Sequence, residues 1–404
     1  GGQTAVDAAV ATAFALAVVM PSAGNVGGGG FLVHHGAAGD VTTFDFREKA
    51  PLGAARRMFL DEDGALPEEA NHEGPLAVGV PGTVAGLWAA HLKFGLLPWA
   101  DLVQPAVDLA RDGYPWSWRD VKWAKSLEDL EEDWYDETRR IFLDEGRVRD
   151  PGETFRQPDL ARTLERIRDH GRDGFYAGET ARLLAACMAG TGGLITEEDL
   201  RAYRAVERPP VRGTYRGYDV YGMAPPSSGG VALVEMLNIL EGYDLASTGH
   251  NTVPTLHLVT EAMRRAYADR ARHLGDPDFN DDLPVERLIS KEHAGAVRGT
   301  IGELASRSDS TGFGEVYLDP VSEETTHLSV VDASFKPASP TSTLEASYGS
   351  STTLPAVRFT LIYASASARR SDRSVMVAVT PAPSNSQYGA IVPLVTVPTW
   401  SSPR

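Results

Sequence analysis

Residues 324–332 read Glu-Thr-Thr-His-Leu-Ser-Val-Val-Asp, so two threonines lead into a β-branched strand directly after a polar, acidic loop. A threonine hydroxyl is a poor nucleophile unless a base lies beside it, and an N-terminal amine on the same residue can be that base. Such an amine exists at Thr325 only after the chain is cut behind Glu324. On the local pattern alone, turn chemistry at a strand start is the commoner explanation of such threonines. The other motifs of the chain are needed to distinguish a catalytic threonine from a turn residue.

The chain has 404 residues, enough to bury a substantial core, and a formal net charge of −17. Phosphate binding requires clustered Lys and Arg, so this charge disfavours nucleic acid as a partner, and it disfavours anionic membranes as well. The single cysteine, Cys187, excludes an internal disulfide framework and a multi-cysteine zinc site. Its apolar helical surroundings predict a small buried hydrophobic residue and not a catalytic thiol.

No segment is apolar for long enough to span a bilayer. Residues 5–20 are apolar except for Asp7 and Thr12, and Pro21 ends this run short of the roughly 20 residues that a span requires. The chain begins with two glycines, without an initiator Met or a charged leader. We therefore expect an N-terminally truncated chain that starts within a longer protein.

Four consecutive glycines at residues 27–30 join a predicted helix (residues 6–19) to a predicted strand (residues 31–35). A nucleotide-binding glycine loop follows a strand and opens a helix, which is the opposite order. The glycine run therefore favours a close approach of the backbone to a packed neighbour or a ligand.

The middle of the chain is predominantly helical, with glycines as helix stops. Helices are predicted at residues 84–94, 99–112, 116–135, 157–170, 178–190, 231–240 and 255–274. Residues 42–46 are predicted as a second strand, and residues 211–223 as two strands joined by a turn at 215–218. The oxygen-rich residues 275–282 lack the spacing of a calcium loop and predict an Asx-type turn.

The composition changes after Asp332. From residue 333 to residue 404 only Glu345 and Asp372 are acidic, against six basic residues, and the sequence becomes rich in Ser, Thr, Pro and Ala. A segment of this kind buries too little apolar surface to offset its ordering entropy. Residues 351–404 are therefore predicted to be an atypical, poorly ordered tail.

An ordered series of motifs runs from Gly2 to Asp332. They are GxxAVDAAVA from Gly2, GGGGF from Gly27, DFREKAP from Asp45, VPGTVAG from Val80, GLITxxDL from Gly193, PPSSGG from Pro225, AYADR from Ala266, GDPD from Gly275 and TTHxSVVD from Thr325. In these motifs the chain resembles the γ-glutamyltransferases (γ-glutamyl transpeptidases) of the N-terminal-nucleophile hydrolase superfamily, from residue 1 to about residue 350. The ordered set makes Thr325 the favoured nucleophile.

The resemblance implies an α/β fold of the αββα sandwich type, made as a precursor that cuts itself between Glu324 and Thr325. The Thr325 hydroxyl attacks the Glu324 carbonyl, and hydrolysis of the resulting ester frees the Thr325 amine. That amine then helps to activate the same hydroxyl against a γ-glutamyl amide such as glutathione, and water or an acceptor amine takes the acyl group. The implied regions are a large-subunit region at residues 1–324 and the start of a small-subunit region at residues 325–350.

Three further residues match positions of the family. Arg47 matches the position that holds the substrate α-carboxylate, which a guanidinium pairs with bidentately, although a surface ion pair is the commoner role of such an arginine. Thr343 matches the threonine that hydrogen-bonds the nucleophile. Glu345 stands where many members carry an asparagine that contacts the α-amino group, and a carboxylate there can pair with an ammonium ion. The resemblance implies no metal and no cofactor.

Two departures from the family pattern bear on activity. Residues 334–340 carry Phe335, Lys336 and two prolines where the family has a tight turn and a strand, and proline is poorly tolerated inside a sheet. Beyond Ser350 the family's Asn-Asn-x-x-x-Asp-Phe, Ser-Ser-Met and paired-glycine oxyanion segments have no counterpart. Loss of one oxyanion donor costs about 10²–10³ in rate in other enzymes. We therefore expect a divergent or out-of-frame tail, poor folding around it and little transferase activity of this chain.

Three functions stay open from the sequence. The first is γ-glutamyl transfer and hydrolysis in the periplasm or outside the cell, with glutathione and other γ-glutamyl compounds, acceptor amino acids or peptides, and water as small-molecule partners. The second is a related acylase acting on glutaryl or cephalosporin-type amides, and Glu345 leaves this choice open. The third is an inactive relic that binds γ-glutamyl compounds or a partner subunit. Two fragments cut before Thr325 on a denaturing gel would support an enzyme, and one uncut chain the relic.

Overall fold

The computed structural model describes residues 4–67, 70–71, 74–128, 136–305, 324–345 and 377–381. The chain divides into two compact units, each built from separate stretches of sequence. The first comprises Gly1–Ala37, Phe44–Glu207 and Ser322–Ala366, and the second comprises Ala38–Thr43, Arg208–Val321 and Ser367–Arg404.

Helices occupy much of the described chain from residue 5 to residue 298. They are α1 (Ala5–Val19), α2 (Thr83–Phe94), α3 (Trp99–Asp112), α4 (Trp118–Ala124), α5 (Asp136–Phe142), α6 (Pro158–His170), α7 (Asp173–Tyr176), α8 (Gly178–Thr191), α9 (Glu197–Ala202), α10 (Gly229–Leu240), α11 (Leu245–Thr248), α12 (Val253–His273), α13 (Val285–Leu288) and α14 (Lys291–Arg298), with short 3₁₀ helices at Pro75–Ala77 and Lys125–Leu127.

The strands form one large sheet, one sheet of three strands and two short pairs. They are β1 (Gly29–His35), β2 (Val41–Asp45), β3 (Tyr114–Pro115), β4 (Leu143–Asp144), β5 (Arg147–Val148), β6 (Thr154–Phe155), β7 (Val206–Arg208), β8 (Val211–Tyr215), β9 (Tyr218–Gly222), β10 (Glu324–His327), β11 (Val330–Val331), β12 (Pro337–Glu345) and β13 (Val377–Pro381). The large sheet has the order β10-β12-β1-β2-β7, with β11 also paired to β12, and the three-stranded sheet has the order β13-β9-β8.

Helix ends follow the capping residues in the sequence. Thr4 and Asp7 form a reciprocal capping box that starts α1, and Thr196 and Asp199 do the same for α9. The helix predicted to start at residue 116 begins later, because Ser117 caps α4 with Asp120 and leaves the preceding residue outside the helix. Residues 129–135, the end of that predicted helix, lie outside the described part of the chain.

Strand β12 lies between β1 and β10 although it contains the two prolines that argued against a strand. Pro337 is its first residue, a position at which the missing N–H is tolerated. The Pro340 carbonyl accepts a hydrogen bond from the Leu328 N–H, which lies between the end of β10 and the start of β11. Pro340 has no N–H to donate, but the place that this N–H would face lies at the gap between β10 and β11. The strand therefore continues through this proline.

The core of the first unit is formed by α1, α2, α3 and α6 together with the large sheet. Its fully buried residues include Phe14 on α1, Leu32 on β1 and Phe46, which follows β2. The second unit has smaller apolar clusters, one around Val211, Val231 and Leu288. No described helix is both long enough and apolar enough to cross a membrane.

Two sequence predictions fall in the second unit. The Asx-type turn at residues 275–282 is confirmed, because the Asp278 N–H donates to Asp276 Oδ1 at 2.9 Å. Within the predicted tail, Val377–Pro381 pairs with β9. Residues 351–376 and 382–404 lie outside the described residues, so the predicted poor order of the tail stays a prediction.

Candidate active site

Thr325 and Thr343 face each other across the β10–β12 ladder. Their Cα atoms are register partners, and Thr325 Oγ1 donates to Thr343 Oγ1 at 3.2 Å. Thr325 is exposed, whereas Thr343 is only 2 % exposed. The register slips between Glu324 and Thr325, so a β-bulge lies at the bond predicted to be cut. Bulges of this kind redirect a strand and are frequent beside active sites.

The same row of the sheet continues from Thr343 to Arg47. Gly29 is the partner of Thr343 on β1, and the neighbouring Gly30 exchanges both backbone hydrogen bonds with Phe46, which sets Arg47 opposite Gly29. Neighbouring strands lie about 4.8 Å apart, so three strand spacings, about 14 Å, separate Thr325 from Arg47 along this row. Gly29 contributes no side chain between them.

A carboxylate lies above Gly29. A Cβ built on Gly29 would lie 2.9 Å from Glu48 Oε2, which shows that this side chain lies on the face to which Thr343 also points. The Arg47 guanidinium pairs with Glu48, with Nη2 and Oε1 3.1 Å apart, and the two side chains are 18 % and 5 % exposed. A partly buried guanidinium, paired with a buried carboxylate, thus lies in the same row of the sheet as the threonine pair.

Asn25 ties the glycine run to the backbone of Thr343. Its Nδ2 donates to the carbonyls of Thr343 and Ala23, both at 3.1 Å, and its Oδ1 accepts from the Gly28 N–H at 2.9 Å and the Thr83 hydroxyl at 2.6 Å. These four bonds use both donors and both lone pairs of the buried amide. A Cβ on Gly28 would collide with both Asn25 Oδ1 and the Thr343 carbonyl, which explains why the chain is a glycine there.

Two stacked tyrosines support the backbone at Arg47. The Tyr203 hydroxyl donates to the Arg47 carbonyl at 2.6 Å, and its ring stacks on Tyr176 with the ring centroids 5.6 Å apart. The Tyr176 hydroxyl donates to the Pro81 carbonyl at 2.7 Å. Burial raises the pKa of both phenols, so they remain neutral donors at physiological pH.

Next to the threonine pair, a second polar pair runs along the same two strands. His327 Nδ1 lies 2.7 Å from Thr341 Oγ1, and His327 Nε2 lies 3.0 Å from Ser329 Oγ. Residues two apart in a strand share a face, so His327 and Thr325 point to the same side of the sheet. Burial lowers the pKa of His327, which favours the neutral imidazole near Thr325.

The structure brings together Thr325 on β10, Thr343 on β12 and Arg47, which is the second residue after β2. The backbones of Glu324 and Glu345 are register partners beyond the bulge. Their side chains lie outside what the structure describes.

Sequence reasoning missed Asn25, Glu48 and His327 as parts of this site. Each lies inside or beside a motif that carries the resemblance, and this position in the sequence was the available signal. Cys187 was predicted to be buried, and the structure has it only partly buried against the core, where burial raises the pKa of its thiol.

Comparison with known proteins decides the family. The family model described as Gamma-glutamyltranspeptidase matches residues 1–386. The chain belongs to the gamma-glutamyltranspeptidase family. The match runs past residue 350, to which the motif-based resemblance extended, and includes β13.

Members of the gamma-glutamyltranspeptidase family align over most of this chain. The glutathione hydrolase proenzyme of Pseudomonas sp. (strain A14) is 44% identical over 351 residues, which are 86% of this chain and 60% of that protein. The chain therefore spans about 60% of the length of this relative.

Solved structures confirm the predicted N-terminal-nucleophile hydrolase fold. Helicobacter pylori gamma-glutamyltranspeptidase has a TM-score of 0.74 and 44% identity, with 76% of this chain and 88% of that chain covered. Cephalosporin acylase from Bacillus halodurans has a TM-score of 0.76 and 28% identity, with 89% of this chain and 65% of that chain covered.

Proposed function

We propose that this chain is the precursor of a γ-glutamyltransferase and glutathione hydrolase that matures by cutting the Glu324–Thr325 bond. The Thr325 hydroxyl adds to the Glu324 carbonyl carbon, the amide nitrogen of Thr325 leaves, and an ester joins the two residues. Water then hydrolyses this ester, which leaves a carboxylate on Glu324 and a free α-amine on Thr325. The irregularity at this bond supports the proposal, because Leu344 on β12 is skipped opposite it and the regular ladder is interrupted there.

In the mature enzyme the same hydroxyl acts on the substrate. The Thr325 amine takes the proton of Oγ1 as the oxygen attacks the γ-carbonyl of glutathione or another γ-glutamyl amide, and the leaving amine takes up a proton. The γ-glutamyl ester on Thr325 is then transferred to water, an acceptor amino acid or a peptide. Thr343 orients Thr325 through the hydrogen bond at 3.2 Å, and this contact is the observation that carries the proposal.

Arg47 is proposed to bind the α-carboxylate of the γ-glutamyl group. Its place about three strand spacings from Thr325 leaves room for an extended glutamyl chain between the guanidinium and the nucleophile. Glu48 holds the guanidinium in position, and it offers a carboxylate near the place where the α-ammonium group would lie. Glu345 is proposed as a second partner of that ammonium group.

A direct test compares Thr325→Ala with Thr326→Ala. Thr326 is the next residue along the same strand, where it pairs with Ser342, and its side chain points to the other face of the sheet. Thr325→Ala is expected to give one uncut chain and no release of p-nitroaniline from γ-glutamyl-p-nitroanilide. Thr326→Ala is expected to give two fragments cut before residue 325. Normal cleavage and turnover in Thr325→Ala would overturn the proposal, and an uncut wild-type chain would support the inactive relic.

A related acylase is the second candidate, because the cephalosporin acylase from Bacillus halodurans shares the fold at 28% identity. Arg47 can bind the terminal carboxylate of either substrate. Glu48 and Glu345 favour the γ-glutamyl group, because a glutaryl amide lacks the amine that they would bind. Comparing kcat/KM for γ-glutamyl-p-nitroanilide and glutaryl-p-nitroanilide decides between the two. A ratio in favour of the glutaryl compound would assign the acylase.

The assembly and location follow from the same proposal. The two fragments are proposed to remain together as large and small subunits, in the periplasm or outside the cell. Cell fractionation of the full-length protein with an activity assay on each fraction tests the location.

A further inference from the structure

Three helices of the second unit bring a glutamate, an aspartate and a histidine together. Glu235 lies on α10, Asp269 on α12 and His293 on α14, and α10 packs against both other helices. One ligand atom from each residue lies within 4.8 Å of the other two. The proposed transferase mechanism uses none of these side chains.

The distances within this cluster suit a small metal ion. His293 Nε2 lies 2.7 Å from Asp269 Oδ2 and 3.6 Å from Glu235 Oε1. Zinc bonds of 2.0–2.2 Å in a tetrahedral arrangement place neighbouring ligand atoms about 3.4 Å apart, so the two distances bracket this value. Shifts of a few tenths of an ångström would let the three atoms share one ion.

Glu235 supplies a second and separate indication of a ligand. The residue is 1 % exposed, and among the described residues its Oε1 has no hydrogen-bond partner. When His293 donates its Nε2 proton to Asp269, the same nitrogen has no second proton to donate to Glu235. A buried carboxylate oxygen without a donor is costly, and a cation at this position would satisfy it.

The charges around the cluster also favour a cation. The carboxyl groups of Glu235 and Asp269 offer ligand atoms within 4.8 Å of each other, and Glu235 is buried, so two negative charges here would repel each other strongly unless a positive charge or a proton lies between them. The site therefore holds either a proton or a cation between two carboxyl groups.

We propose that Glu235, Asp269 and His293 bind a divalent transition-metal ion of the Zn²⁺ class that links α10, α12 and α14. One imidazole and two carboxylates form a mixed nitrogen and oxygen set that suits Zn²⁺, whereas Mg²⁺ and Ca²⁺ prefer oxygen alone. On binding, the imidazole coordinates through Nε2 with its proton on Nδ1, and any proton on Glu235 is released to solvent. Because its ligands come from three packed helices, the proposed ion would stabilise this helix packing.

The test is zinc binding to the full chain after dialysis against EDTA. Isothermal titration with ZnCl₂ is expected to show one ion per chain at this site, and saturating Zn²⁺ is expected to raise Tm by about 3 °C. MgCl₂ and CaCl₂ at the same concentrations are expected to leave Tm unchanged. Neither readout depends on transferase activity, so the result stands apart from the function proposed above.

Two variants and one control separate a metal site from a shared proton. Glu235→Gln resembles the protonated carboxyl group and His293→Gln keeps an N–H donor, so both should fold, yet each should weaken zinc binding by at least about 100-fold. His250→Gln removes an exposed histidine of the same unit and should bind as the wild type does. Absence of zinc binding to the wild type, or wild-type affinity in either cluster variant, would overturn the proposal in favour of a proton shared between Glu235 and Asp269.

Discussion

The hydroxyl group of Thr343 can be removed with almost no change in the shape of the side chain. Its hydroxyl accepts from Thr325 while its side chain is buried, so Thr343→Val removes the hydrogen bond and nearly preserves the shape. A net hydrogen bond is worth about 1 kcal/mol, so kcat for γ-glutamyl-p-nitroanilide should fall about fivefold, with KM little changed. Thr343→Ser keeps the hydroxyl and should retain most of kcat. An unchanged kcat in the valine variant would show that Thr343 does not orient the nucleophile.

His327 gives the site a defined response to pH. Because burial lowers its pKa in the folded state below the ordinary 6.5, the unfolded chain takes up a proton first as the pH falls. The stability that the neutral imidazole contributes is therefore full above pH 6.5 and is lost as the pH falls through the folded-state pKa. Urea unfolding at pH 8 and pH 5.5 should show a larger loss in the wild type than in His327→Gln. Equal losses in both proteins would contradict this assignment.

At the scale of the elements, the loop between α1 and β1 is held by close backbone contact. Gly28→Ala would push a methyl group into Asn25 and the Thr343 carbonyl, so the free energy of unfolding should fall by about 1–3 kcal/mol and kcat should fall with it. Gly190→Ala is the matched control, because it lies in α8 with nothing within 4 Å of the added methyl group. It should stabilise the protein by up to about 1 kcal/mol. Chemical denaturation of both variants checks the contrast.

Helices were the most predictable elements, since their ends are encoded locally. Residues 99–112 were predicted with the bounds that α3 has, between Pro98 and Gly113. The start of α4 was predicted wrongly because Ser117 and Asp120 form a capping box that overrides the apolar residue before it.

The sheet was less predictable because its partners are distant in sequence. Pro340 argued against a strand, yet its missing donor meets the gap between β10 and β11, which no local pattern contains. Asn25 and Thr343 are 318 residues apart, and only the folded chain makes their contact visible. The candidate site was predictable at Thr325, Thr343 and Arg47 through motif resemblance, whereas the groups that support these residues required the fold.

At the scale of the whole molecule, the bond proposed to be cut lies within the large sheet and not in a linker. Strand β12, on the C-terminal side of that bond, pairs with β1 on the N-terminal side over residues 29–34. It also carries β10, which starts at the cut itself. Cleavage would therefore break the chain while leaving the pairing of β1 with β12 in place.

The two fragments are consequently expected to behave as one particle. The wild-type chain should elute from gel filtration at the volume of the uncut Thr325→Ala variant, and the eluted peak should separate into two bands only on a denaturing gel. The cost of parting them is large, because β12 lies between β1 and β10 and its residues Ala338 and Leu344 are fully buried. Fragments that elute separately in native buffer would contradict the central place of β12 in the sheet, and would do so whether or not the mature protein transfers a γ-glutamyl group.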